Sequence, residues 1–320
     1  MSFAFEDLEN TIVSTIRKNV EGKDIGVAFS GGLDSGLASA IAKEYARSVT
    51  LYTCGTQHSY DVVKAEELAK QLDLPWVHVP LTKGNVEIRI RDLIAATGTS
   101  DPFTISYELQ LYCVCLNCKQ DTVLTGQGAD EYFGGCAKFV DQSDNAYDVL
   151  TKAAVERLLT VSVPCEKQIA KHFGKDLIYA YINDRIVSEV GKVDPELLRP
   201  KDMDSRKSVL KDIAVHLGYP CLADRKKKSS QYGSGTTDLV RAIAREKKLM
   251  YNQYIASLYD EVMSGKVPNY RGAVINARID PVIKEQAEKI LREQGLSPSE
   301  AVERFYLRVI EDKGLKDKKD

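Results

Sequence analysis

Hydrophobic and polar positions change period several times along this chain. Phe5, Leu8, Ile12, Val13 and Ile16 fall three or four residues apart, which predicts a first helix from Phe5 to Val20. Asp24 to Phe29 is a short apolar run and reads as a first strand. Helical spacing returns from Ser35 to Ala46. The pairing then repeats. "VTLYTCG" from Val49 is a second strand and Tyr60 to Leu72 a second helix. "WVHVP" from Trp76 is a third strand, followed by helices over Val86–Ala96 and Tyr107–Lys119. "DTVLTG" from Asp121 is a fourth strand. Strands alternating with helices predict parallel pairing and a doubly wound α/β sheet. Their short, apolar character fits a sheet covered on both faces.

After Gly135 the pattern is mostly helical, with few strand candidates. "YDVLTKAAVERLLTV" and "SRKSVLKDIAVHLG" both carry apolar residues at helical spacing. "MSGKVPNYRG" (Met263 to Gly272) is rich in breakers and marks a boundary. Beyond it come a short alternating strand, Pro281 opening a helix, Gly295 ending it, and "SPSE" capping another. Three parts follow: an α/β core over 1–135, a helical extension over 136–265 and a small module over 272–315.

Composition changes this picture little. Apolar residues make up 43% of the 320 and charged residues 28%, ordinary for a globular protein. A net charge of -2 predicts no nucleic-acid or membrane partner from bulk electrostatics. No apolar stretch approaches the ~20 residues that span a bilayer. The first residues lack the basic start and apolar core of a signal peptide, so a cytoplasmic location is expected. Seven cysteines spread through a long chain argue against a disulfide framework.

The candidate chemistry begins at the mouth of the first strand, in "FSGGLDSGL" (Phe29 to Leu37). In an open parallel sheet, ligands sit at the carboxyl ends of the strands near the switch point. Gly31 and Gly32 let backbone N–H groups approach an anion, and the helix N-terminus adds more N–H groups and positive partial charge. Ser30 and Ser35 add hydroxyls. The result is a phosphate cradle. Asp34 is out of place there unless a hard cation such as Mg2+ accompanies the phosphate. The loop is neither a Walker A nor a dinucleotide fingerprint. It resembles the pyrophosphate-binding PP-loop, SGGxDS, of the N-type ATP pyrophosphatases (the adenine nucleotide alpha hydrolase-like fold). That resemblance implies ATP as substrate, adenylation of a substrate oxygen and release of pyrophosphate.

Two further stretches narrow the resemblance. "TGQGADEYFGG" (Thr125 to Gly135) is similar to the SGEGxDExFGG of asparagine synthetases and β-lactam synthetases. "LLRPKDMDSRKSVLKDIAVHLGYPCLADRKKKSSQYGSG" is similar to the segment that follows in those enzymes. The likeness spans residues 10–260. It implies a ligase that adenylates a carboxylate, aspartate being one candidate, and then forms an amide from ammonia or an amine with release of AMP. Asp34 and Asp130 are expected to hold Mg2+ against the triphosphate. Gly126 is expected to lie close to the ribose or base, Lys201 and Lys207 to contact phosphate, and Lys227 to stabilise charge during adenylation. One departure stands out: Gln127 replaces the family's Glu, and an amide cannot act as the base. The glutamine-using enzymes also begin with a glutaminase domain, for which no room is expected before Asp24. Nitrogen is therefore expected from free ammonia, an amine or a separate glutaminase subunit.

Cys113, Cys115 and Cys118 in "YCVCLNC" raise a second reading. Three thiolates can hold an iron–sulfur cluster or zinc, as in some PP-loop tRNA-modifying, sulfur-transferring enzymes. Helical spacing puts Cys113 on another face, and core cysteines are the plainer expectation. Finally, "AVINARIDPVIKEQAEKILREQGLSPSEAVERFYLRVIEDKGL" resembles ribbon–helix–helix antitoxins of the RelB/DinJ type. Their strand pairs with its copy in a second chain, which implies a homodimer. Alternation puts Asn276 and Arg278 on the outward, base-reading face, and Ile275, Ala277 and Ile279 on the other. That leaves a nucleotide-sensing DNA-binding regulator as a third reading, but near-cancelling charge in the module favours dimerisation over DNA binding.

Overall fold

In the computed structural model, five strands lie parallel in the order β3-β2-β1-β4-β5. They are β1 (Asp24–Ala28), β2 (Ser48–Gly55), β3 (Trp76–Pro80), β4 (Thr122–Thr125) and β5 (Asp176–Tyr179). The structure describes residues 3–223, 230–265, 279–294, 296, 298–312 and 314. The strand order reverses at β1, where a crevice opens beyond the carboxyl ends of β1 and β4.

The helices cover both faces. α1 (Phe3–Val20) precedes β1, and α2 (Leu33–Tyr45) and α3 (Tyr60–Gln71) follow β1 and β2. α4 (Val86–Thr97), α5 (Pro102–Asn117) and α6 (Ala129–Tyr132) come next, then α7 (Asp144–Arg157) and α8 (Val163–His172). α9 (Asp184–Val190), α10 (Pro195–Leu198) and α11 (Ser208–His216) follow β5. α12 (Ser230–Gly233), α13 (Thr236–Glu246) and α14 (Tyr251–Met263) complete the first unit. Strand side chains alternate between two cores, as a period of two requires. Ile25, Val27, Leu51 and Leu124 pack with α1, α2, α9 and α11. Tyr52, Cys54, Val79 and Val123 face the other way, onto α4, α5, α8, α13 and α14. Gly26 also faces that side, where a Cβ would meet Cys118 Sγ at 2.2 Å.

The four expected strands are present, and the doubly wound parallel sheet is as expected. β5 was not anticipated. It is a four-residue edge strand, exposed or half-buried throughout, and its apolar run, Leu177 to Ile182, is too short to separate strand from helix by pattern. α5 starts earlier than expected because Asp101 caps it, accepting from Phe103 N and Thr104 N, with Pro102 in the first turn. A π-helical turn, Leu158–Ser162, joins α7 to α8 just before Pro164.

The chain divides into two units, Met1–Pro268 and Asn269–Asp320. In the second, Asp280 caps α15 (Pro281–Glu293) by accepting from Val282 N at 2.8 Å. α16 (Pro298–Asp312) follows. Its apolar residues face outward: Ile283, Phe305 and Ile310 are 62%, 48% and 71% exposed. The expected ribbon strand, with Ile275, Asn276, Ala277 and Arg278, lies outside the described residues. Among those described, no helix is long and apolar enough to cross a membrane.

Candidate active site

A cavity of about 900 Å³ opens at the switch point. One wall is the turn from β1 into α2. Gly31 is left-handed there (φ 70), and a Cβ on it would stand 2.6 Å from the Ala65 backbone nitrogen. Gly32 caps α2 without any side-chain bond to its first N–H groups. Those N–H groups and the helix dipole suit an anion. Ser30 N donates to Ser35 Oγ at 3.2 Å, which fixes the turn. Ser30, Gly31, Gly32, Asp34 and Ser35 all line the cavity, as do Gly126, Gln127 and Asp130 from the end of β4. A Cβ on Gly126 would meet Ser35 N at 2.8 Å. The glycine lets β4 approach the head of α2, a reason for it nearer to hand than contact with ribose.

Lys207 closes this wall. Its backbone is left-handed (φ 57) at the entry to α11, and its side chain is only 4% exposed. Nζ bonds the Asp34 carboxylate and lies 2.7 Å from Asp130 Oδ1. Burial disfavours the ammonium, but Asp130 and Asp34 outweigh it and hold its pKa above the ordinary lysine value. In this structure Lys207, expected to contact phosphate, is the counter-ion of the two carboxylates expected to hold Mg2+. Because one nitrogen reaches both, one cation can bridge them, and the donors are all oxygen. The pair therefore fits Mg2+, in competition with Lys207.

Lys201 is not brought in. It is exposed, outside the cavity, and pairs with Glu196 at 3.3 Å. Arg206, Lys211 and Lys64 supply positive charge to the lining instead. Lys227 lies outside the described residues.

The opposite character appears on α5 and α8. Tyr107, Glu108 and Glu166 line the same cavity. The Tyr107 hydroxyl donates to Gln127 Oε1 at 3.5 Å. Burial raises the Glu108 carboxyl well above its usual range, and the Glu166 charge adds to this, while Arg157 opposes it. Glu166 is pushed up to about 8, by burial first; the Tyr179 hydroxyl beside it lowers the value and Glu131 raises it. Neither glutamate was singled out from the sequence, though both carried a signal. Glu108 sits in "TISYELQLYCVCL", apolar nearly all round. Glu166 falls on the stripe of Val163, Ile169 and Ala170.

The cysteines are core residues. Cys113, Cys115 and Cys118 are buried in the second core. Burial pushes Cys115 up to about 12 and also raises Cys118, away from the thiolate form that binds metal. Among the described residues, no group of three histidine, cysteine or acidic side chains is placed to hold a metal ion. The three cysteines of "YCVCLNC" thus sit in the core and are not brought together with a fourth ligand among the described residues.

Residues 8–162 match the asparagine synthase family model. A Methanocaldococcus jannaschii protein named as a glutamine-hydrolysing asparagine synthetase is 28% identical, over 82% of this chain and 56% of that one. Asparagine synthetase B of Escherichia coli is 24% identical, over 75% of this chain and 46% of that one. The chain thus spans about half the length of these relatives. A solved structure of NMN synthetase from Francisella tularensis is similar only loosely, with a TM-score of 0.37 and 14% identity over 87% of this chain and 100% of that one.

Proposed function

We propose that the chain is an ATP-dependent ligase of the asparagine synthetase type. A carboxylate substrate, aspartate being the first candidate, attacks the α-phosphorus of ATP; the bond to the β-phosphate breaks and pyrophosphate leaves. A nitrogen nucleophile then attacks the acyl-adenylate and AMP leaves. One observation carries the reading. The uncapped α2 N-terminus, the Gly31 turn and two cation-sharing carboxylates meet in one cavity at the switch point.

In this reading, the N–H groups at the head of α2 hold the β- and γ-phosphates. Ser30 and Ser35 add hydroxyl donors. Lys207, Arg206 and Lys211 offset charge on the departing pyrophosphate. Asp34 and Asp130 would hold Mg2+, which neutralises phosphate charge when bound. Lys227 keeps its proposed role in stabilising the adenylating transition state, on family resemblance alone. The exposed apolar residues of α15 and α16 suit a second copy of the chain, so we further propose a homodimer through this unit.

An ATP–pyrophosphate exchange screen over amino acids and other carboxylates tests the reading. Exchange that depends on one carboxylate, and falls to background in Asp34→Ala, is expected. Absence of exchange with every carboxylate, or full exchange in Asp34→Ala, would overturn it.

A further inference from the structure

Two pairs of carboxyls face the cavity. Asp34 and Asp130 share Lys207. Glu108 and Glu166 share no such lysine among the described residues. Glu108 is 2% exposed and Glu166 3%. Glu108 Oε1 and Glu166 Oε2 are buried and make no well-formed hydrogen bond among the described residues, the Tyr179 hydroxyl lying beside Glu166 and favouring its carboxylate. Arg157, the cation that favours the Glu108 carboxylate, commits Nη2 to Asp101 and Thr104, 3.1 Å from each. Buried acceptors are ordinarily satisfied, and buried charges paired. Here both shortfalls face one ligand cavity.

We propose that Glu108 and Glu166 form the site for the cationic nitrogen of the second substrate, an ammonium ion or a primary ammonium group. Its N–H groups satisfy the two oxygens and its charge replaces the missing counter-ion. The inference rests on the amide-ligase reading, which needs such a nucleophile. It also answers the amide at Gln127, which can neither balance an ammonium charge nor accept its proton. One carboxylate takes an N–H proton and becomes a carboxylic acid. The freed lone pair forms the C–N bond as the C–O bond to AMP breaks, AMP departs with that electron pair, and the other carboxylate takes the second N–H proton that the new amide sheds. Burial, which raises both glutamates, with the Glu166 charge adding to the rise of Glu108 and the Glu131 charge to that of Glu166, suits the pair to holding that proton near neutral pH.

The test compares two nucleophiles in AMP release, with pyrophosphate exchange as the reference for the adenylating half. Ammonium must shed a proton before it attacks; hydroxylamine is largely uncharged at neutral pH. Glu108→Gln and Glu166→Gln should each raise the half-saturating ammonium concentration by ~10-fold or more, the scale of a lost charged hydrogen bond. The hydroxylamine reaction should change several-fold less. Equal losses with both nucleophiles would overturn the site. A second measurement needs no turnover. Wild-type protein should melt higher in ammonium chloride than in tetramethylammonium chloride at equal ionic strength, and the two variants should not. The same difference in all three proteins, or in none, would overturn the site. Absence of exchange with every carboxylate would sink the ligase reading separately, and the melting comparison would still decide the cation site.

Discussion

The cavity joins two regions built on opposite electrostatic plans. On the β1/β4 side, two carboxylates are held by a buried lysine, and an uncapped helix end turns N–H groups towards the lining. On the α5/α8 side, two carboxyls are raised by burial, Glu108 also by the Glu166 charge and Glu166 by the Glu131 charge. The first region suits phosphate and its cation; the second suits a positively charged nitrogen. A two-substrate ligase needs both, because ATP and an ammonium group cannot be held by charges of one sign. The two regions should therefore fail differently when broken.

The largest break is expected at Lys207. Lys207→Met leaves Asp34 and Asp130 facing each other without their shared cation. Removing one partner of a buried ion pair costs about 3–5 kcal/mol, so the thermal midpoint should fall sharply. Mg2+ should then restore the variant far more than it stabilises the wild-type chain, since it no longer competes with the ammonium. Equal Mg2+ responses in calorimetry would show that the two carboxylates are not a cation site.

Gly31→Ala should act on the same region through geometry alone. It forces a Cβ into left-handed backbone and to within 2.6 Å of the Ala65 nitrogen. The turn must shift, and misplacement of about 1 Å costs on the order of 100-fold in rate. Exchange should drop by about that factor while circular dichroism stays native. Exchange within a few-fold of wild type would remove the turn from the phosphate site.

The two regions also differed in how far they could be read from sequence. Ser30 to Ser35 and Gly126 to Asp130 are contiguous and follow strands, so topology alone brings them to one edge. Glu108 and Glu166 lie on separate helices, and only the packing of α5 against α8 unites them. A phosphate contact for Lys207 is what the family resemblance implies; its pairing with Asp34 and Asp130 depends on a left-handed residue that no periodicity announces. Lys201, equally basic in sequence, turns outward to Glu196. β5 lies in an apolar run, Leu177 to Ile182, but is only four residues long and follows a helical stretch, where a short run does not tell strand from helix. The parallel sheet itself was readable because each buried strand is a run of apolar residues, closed by a turn and followed by helical spacing.

The smallest expected effect isolates the α5/α8 region without any substrate. Glu166 has a folded pKa of about 8, against about 4.3 for a glutamate in an unfolded chain. Between those values the folded protein keeps a proton that the unfolded chain has released, so stability must fall as pH rises through that window. Below it both states are protonated and above it both are ionised, and there the term is flat. Glu131 on α6 and Tyr179 on β5 bear on this group, and the Glu166 charge in turn raises Glu108 on α5, so the measured slope belongs to the glutamate pair. Glu166→Gln removes the titrating group. Denaturant titrations across the window should show wild type losing stability relative to the variant by on the order of 1 kcal/mol per pH unit. Parallel stability curves would mean that Glu166 is ionised in the fold, its charge already met, and that the two sides of the cavity are less opposed than their burial implies.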